Sequence, residues 1–152
     1  MRAAVLIYRL LRGGPRDLQE ILALRAAYCA EDGVAAEPSG GQALEALLGR
    51  PDLGAVWLVR VERRAVGYAA VCYGYSLELG GRDAFVDELF VTEELRGQGL
   101  GRKLLEKALA AGRAEGVKAF HLEVSEDNEA AQALYADFGF RPRSRRLLTR
   151  TE

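Results

Sequence analysis

Apolar and polar positions change period several times along the chain, and each change marks an element. Ala4 to Leu11 is a β-rich apolar run closed by Gly13-Gly14-Pro15. Pro15 at a first helical position, with Asp17 and Glu20 nearby, predicts a helix whose face holds Leu18, Ile21, Leu22 and Tyr28. Gly33 to Gly41 reads as a loop. Ser39 and Gln42 have the spacing of a capping box before a short helix with Leu44, Leu47 and Leu48 on one side, which Gly49 and Pro51 end. Two strand-like runs follow, Ala55 to Glu62 and Val66 to Leu79, joined at Arg63-Arg64. Gly80-Gly81 then turns the chain into a third run, Ala84 to Val91, which predicts an antiparallel meander.

After Val91 a glycine-rich loop leads into a helical pattern with Leu100, Leu104, Ala108 and Ala111 aligned, ending near Gly116. Phe120, Leu122 and Val124 then alternate as in a strand. Strand, loop, helix and strand in this order make 84–91 and 118–125 parallel neighbours or near neighbours by the right-handed crossover rule. A last helix spans about Asn128 to Phe138, and an Arg-rich terminal strand follows Gly139. No linker, low-complexity stretch or fixed-period repeat interrupts the pattern, so residues 1–152 read as a single mixed α/β domain.

The composition narrows the partners. The 152 residues, 49% apolar, carry 21 Lys plus Arg against 22 Asp plus Glu, a formal net charge of −1. Such a balance offers no global basic field for nucleic acid or an anionic membrane. The longest charge-free run, Ala65 to Leu77, contains two glycines and falls short of the ~20 apolar residues that span a bilayer. Met1 to Arg9 lacks the anatomy of an export signal. A soluble, cytoplasmic chain is expected. Cys29 and Cys72 lie far apart, and His121 shares no metal-ligand spacing with them, so neither a disulfide scaffold nor a metal site is implied. Both thiols read as small buried hydrophobes.

The segment Arg96-Gly97-Gln98-Gly99-Leu100-Gly101-Arg102-Lys103 carries the most chemistry. Alternating glycines let a ligand approach backbone N–H groups at a helix start, where negative charge is favoured. Helices ordinarily place Asp or Glu there, whereas Arg96, Arg102 and Lys103 add positive charge, so the missing anion is expected to be a ligand's phosphate. A P-loop would need Ser or Thr where Leu104 stands, together with a different glycine spacing, and a dinucleotide fingerprint would need glycine at Arg102. What fits is R-x-x-G-x-G/A, with Arg96, Gly99 and Gly101 placed after Asp87-Glu88-Leu89-Phe90-Val91. Downstream, Asn128, Ala131, Tyr135 and Gly139-Phe140 fit N-x-x-A-x-x-x-Y-x-x-x-G-F, with Asn128 and Tyr135 on one helical face.

These two motifs together resemble the GNAT N-acetyltransferase superfamily over about Phe85 to Phe140. Gly67-Tyr68-Ala69, Tyr73, Tyr75 and the acidic strand look most like its diamine and polyamine branch, while Tyr75 to Gly81 departs from that branch. The resemblance implies a GNAT fold with a central mixed sheet of six or seven strands, a meander followed by a parallel β-α-β unit, and helices on both faces. It also implies acetyl-coenzyme A as co-substrate, without a metal, and a primary amine as acceptor. The coenzyme would be held by the backbone of Leu89, Phe90 and Val91, by Arg96, Gly97, Gln98, Gly99, Leu100, Gly101 and Arg102, and by Asn128 and Ala131. Tyr135 would lie at the coenzyme sulfur, Tyr28, Asp87 and Glu88 on the substrate side, and a homodimer is common among similar proteins.

An alkylamine of pKa about 10.4 is only about one part in 2,500 free base at pH 7, a handicap of about 4.6 kcal/mol, so a proton acceptor is needed. Asp87 and Glu88 are strand neighbours and, unless a bulge intervenes, point to opposite faces, so that only one serves a given pocket. The resemblance puts the proton acceptor on Asp87. The alternatives are an acetyltransferase acting on a protein N-terminus or lysine, a non-catalytic acyl-coenzyme A-binding module, and a covalent route through Cys72. His121 reads as a hydrogen-bonded or exposed side chain, and Arg141, Arg143, Arg145, Arg146 and Arg150 as a solvated edge.

Overall fold

In the computed structural model, which describes residues 5–152, five strands form one sheet in the order β1-β2-β3-β4-β5. The strands are β1 (Tyr8–Arg12), β2 (Gly54–Val61), β3 (Arg64–Ser76), β4 (Gly81–Val91) and β5 (Phe120–His121), and the helices are α1 (Leu18–Asp32), α2 (Pro38–Gly49), α3 (Leu100–Ala114) and α4 (Glu129–Asp137). Ala4 and the first residues of the Met1–Arg9 reading lie outside the described residues. Two compact units divide the chain, Met1–Leu122 and Glu123–Glu152. Among the described residues, no helix is long and apolar enough to cross a membrane, and no cluster of three or more His, Cys, Asp or Glu side chains is placed to hold a metal ion.

In the first unit β1 to β4 pair antiparallel, and β5 joins β4 in parallel through Ala84↔Phe120 and Phe85↔His121. The meander and the crossover are therefore as the pattern predicts. β3 is buried without a break from Ala65 to Val71, as a central strand covered on both faces must be. Ile21 and Leu24 of α1, with Leu44 and Leu48 of α2, pack on Val56, Leu58, Tyr68, Ala70 and Phe90. On the opposite parity, Trp57 lies under Lys107 of α3, 4.9 Å from nitrogen to ring centre. Gly67 sits between Val59 and Val91 on that side; a Cβ there would come within 2.6 Å of the Phe90 carbonyl. Glycine at 67 is thus required by the close approach of β3 to β4.

Among the described residues the expected six or seven strands are corrected to five. The 118–125 run pairs only over Phe120–His121, and the Arg-rich terminal run is irregular. Alternation alone does not make a strand; a ladder partner does. In the 39–49 helix the expected Ser39 cap is also displaced: α2 begins at Pro38, with Glu37 as N-cap and no side-chain cap bond. Proline's fixed φ suits the first helical position and sets the boundary two residues earlier. In the second unit α4 is capped by Asn128, whose Oδ1 accepts the Ala131 amide at 3.1 Å, and the chain leaves the helix through Gly139 in the left-handed region, φ 86°.

Candidate active site

β4 ends at Val91, a single 3-10 turn (Glu93–Leu95) follows, and the glycine loop then delivers the chain into α3. Gly97 and Gly99 have φ of 74° and 81°, a region that only glycine enters without strain. A Cβ at either would meet nothing within 4 Å, so it is conformation rather than crowding that calls for glycine here. Leu100, 2% exposed, pins the start of α3 into the core. The first turn of this fifteen-residue helix carries no acidic residue, so its amides and dipole are left for an anion from outside the chain. The residues present fit a diphosphate.

The loop's cations are less available than the sequence suggests. Lys103 pairs with Glu106 at 3.3 Å. Arg96 turns back onto the protein: its Nε donates to the Val91 carbonyl at 2.8 Å and its Nη2 to both oxygens of Glu31. Alongside, the pairing of β5 stops at Phe85, so the outer edge of β4 from Val86 to Val91, including Leu89 and Phe90, has no strand partner among the described residues. Apart from the Val91 carbonyl, which Arg96 Nε occupies, the backbone groups that point outward from this edge have no strand to pair with among the described residues.

A bulge does intervene at the two carboxylates. Ala70 pairs with Glu88 and Val71 with Val86, which leaves Asp87 as the extra residue of β4. The alternation is broken there, as bulges next to active sites do when they re-aim a side chain. Both carboxylates contribute to raising the pKa of the Tyr28 hydroxyl and of the Cys72 thiol, and with the bulge present the strict alternation of faces does not apply to them.

Their situations differ. Glu88, with its side chain 10% exposed, accepts from Arg25 Nε at 2.9 and 3.2 Å and from the Tyr68 hydroxyl at 2.7 Å. It is a fixed anion whose charge Arg25 offsets. Asp87 is exposed. Tyr28 meets Phe90 edge-on at 6.4 Å and lies 3.4 Å from Asp32 Oδ2. Burial, and then the carboxylates of Asp32, Glu88 and Asp87, raise its hydroxyl pKa, so it stays a neutral donor. Arg25 keeps its charge in spite of burial because Glu88 faces it.

The sequence reading missed Arg25. Its signal was a cation between Leu22 and Tyr28 on the apolar side of the first helix, where an unpaired charge is costly. His121 is hydrogen-bonded, as expected, with Nε2 3.2 Å from Asp83 Oδ2. Tyr135, on α4 in the second unit, meets Phe140 edge-on at 5.9 Å.

Burial, reinforced by Asp87 and Glu88, pushes the Cys72 thiol up to about 11. At pH 8 about one thiol in a thousand is then ionised, too few for a nucleophile. Alkylation of Cys72 by iodoacetamide, followed by peptide mass spectrometry, should climb about tenfold per pH unit from 7 to 10 without levelling. A plateau near pH 8.5 would contradict this environment. Cys72→Ala should keep turnover within about twofold.

A mixed sheet, a bulged acidic strand and a glycine loop feeding a long helix together frame the site. Residues 21–140 match the Acetyltransferase (GNAT) family, and the chain belongs to it. Thialysine N-epsilon-acetyltransferase of Sus scrofa is 34% identical over 76 residues, 50% of this chain and 44% of that protein. Mycothiol acetyltransferase of Jonesia denitrificans is 44% identical over 59 residues, 39% of this chain and 19% of that one. The chain thus spans less than half the length of these relatives. Among solved structures, an integron cassette protein from the Cole Harbour salt marsh metagenome superposes with a TM-score of 0.83 at 31% identity, covering 93% of this chain and 89% of the other.

Proposed function

We propose that the chain moves an acetyl group from acetyl-coenzyme A to the primary amine of a small cationic molecule, by direct transfer, within one domain comprising both units. The observation that carries this reading is the pair of left-handed glycines opening a long helix whose first turn has no acid of its own. The amides of Gly97 to Arg102 would take the diphosphate, and the open β4 edge at Leu89 to Val91 the coenzyme's amide arm. Asn128, Ala131 and Tyr135 are assigned to the coenzyme by resemblance. Asn128 already spends its side-chain oxygen on capping α4, so its amide group is what is left for the coenzyme.

Bound there, the coenzyme supplies an acetyl thioester activated for attack by an amine. The chain's own residues must attract the acceptor, remove its proton and stabilise developing charge. Asp87 is the exposed carboxylate at the bulge, and Glu88 is offset by Arg25, so Asp87 attracts the cation. A carboxylate is a weak base for an ammonium, so Asp87 takes the proton through ordered water. A backbone N–H of Leu89 to Val91 donates to the oxygen that gains charge. A cationic acceptor agrees with the exposed acids Glu31, Asp32, Glu37 and Asp87, and the thialysine enzyme's name points to amine acetylation.

The test is purified protein with acetyl-coenzyme A and a panel of free amines and peptides, following thiol release. Free diamines should react fastest. Reaction of peptides alone would move the acceptor to a protein, and binding without release would leave a coenzyme-binding module. Asp87→Asn should lower kcat/KM for the amine roughly tenfold while donor binding is kept. An unchanged kcat/KM removes Asp87 from proton transfer.

A further inference from the structure

The proposed diphosphate loop opens with an arginine that is already engaged. Arg96 Nε donates to the carbonyl of Val91 at 2.8 Å, and Nη2 donates to both oxygens of Glu31 at 2.9 and 2.7 Å. The guanidinium carbon lies 5.4 Å from the centre of the Phe90 ring. One side chain thus ties together the end of β4, the ring against which Tyr28 packs, and the last turn of α1. A planar fork of donors makes these contacts at once; a lysine ammonium would not.

We propose that Arg96 is a positioning residue and not a phosphate ligand: with Glu31 it sets the strand-to-loop turn, and the backbone amides take the anion. The inference rests on the reading of the loop as a coenzyme A site. An ion pair whose members are 44% and 47% exposed adds little to stability, so its consequence lies in geometry. Glu31 also cancels the charge that Arg96 would offer a phosphate. If Arg96 were a ligand, Glu31 would compete with the coenzyme; if Arg96 is a strut, Glu31 helps it. The two roles differ in sign.

Calorimetry with coenzyme A at low salt separates them. Glu31→Gln should weaken binding roughly threefold and Arg96→Gln about tenfold, and the double variant should fall within about twofold of Arg96→Gln alone. The KM for acetyl-coenzyme A should rise in parallel while kcat stays within about twofold. A second measurement needs no ligand: the amides of Leu95 and Lys103, bonded to Thr92 and Gly99 carbonyls at 3.0 Å, should exchange hydrogen faster in both single variants. Tighter binding by Glu31→Gln, additive losses, or unchanged exchange would each overturn the strut. Wild-type protein that takes up no coenzyme A would sink the reading of the loop itself, and the exchange rates would still judge the strut.

Discussion

Tyr135→Phe is expected to slow turnover on the order of 10²-fold or more, with the KM for acetyl-coenzyme A little changed. The substitution keeps the ring, and with it the edge-on contact to Phe140 in the second unit, and an unchanged urea midpoint would separate the rate loss from a loss of folding. What is lost is one hydroxyl, to which the resemblance assigns the departing sulfur. Full proton transfer from a phenol of pKa about 10 to a thiolate of about 8.5 runs uphill by ~2 kcal/mol. The hydrogen bond, strengthening as negative charge gathers on sulfur, therefore supplies much of the benefit. Steady-state rates across pH 7 to 9 check this. A variant within threefold of wild type at every pH strips Tyr135 of its role.

The second large effect is on stability. Glu88→Ala is expected to cost about 3 kcal/mol, read as a fall in the urea midpoint at unchanged slope. Arg25, its side chain 18% exposed, would lose its counter-ion, and Tyr68, 0% exposed, would lose the acceptor of its hydroxyl. Orphaning a partly buried charge and a buried donor both cost. Glu88→Gln keeps an acceptor oxygen and should cost about half as much. Against a typical 5–15 kcal/mol for a domain, the alanine variant would be visibly weakened. A loss below 1 kcal/mol would show that the network contributes little.

The elements easiest to read from the chain were those fixed by neighbours in sequence. Gly80-Gly81 and the alternation on either side give the β3–β4 hairpin, and Gly33, in the left-handed region at φ 67°, gives the end of α1. The loop and its helix were legible for the same reason. What escaped depends on distant partners. Glu88 meets Arg25 across 63 positions, and no local pattern encodes that pairing. The bulge is decided by how β4 registers on β3. β5 is short because its length is set by what lies beside it. The pairing of Arg96 with Glu31 of α1, 65 positions away, was equally invisible in the local pattern.

β4 contains one residue more than its ladder with β3 requires. Take Asp87 away and Glu88 would still face Ala70 and Val86 would still face Val71. The ladder therefore makes no demand on the side chain on which the chemistry is proposed to hang. Selection for folding and selection for turnover act on separate positions of the same strand, and drift at that one codon would silence or retune the protein without a trace in its melting curve.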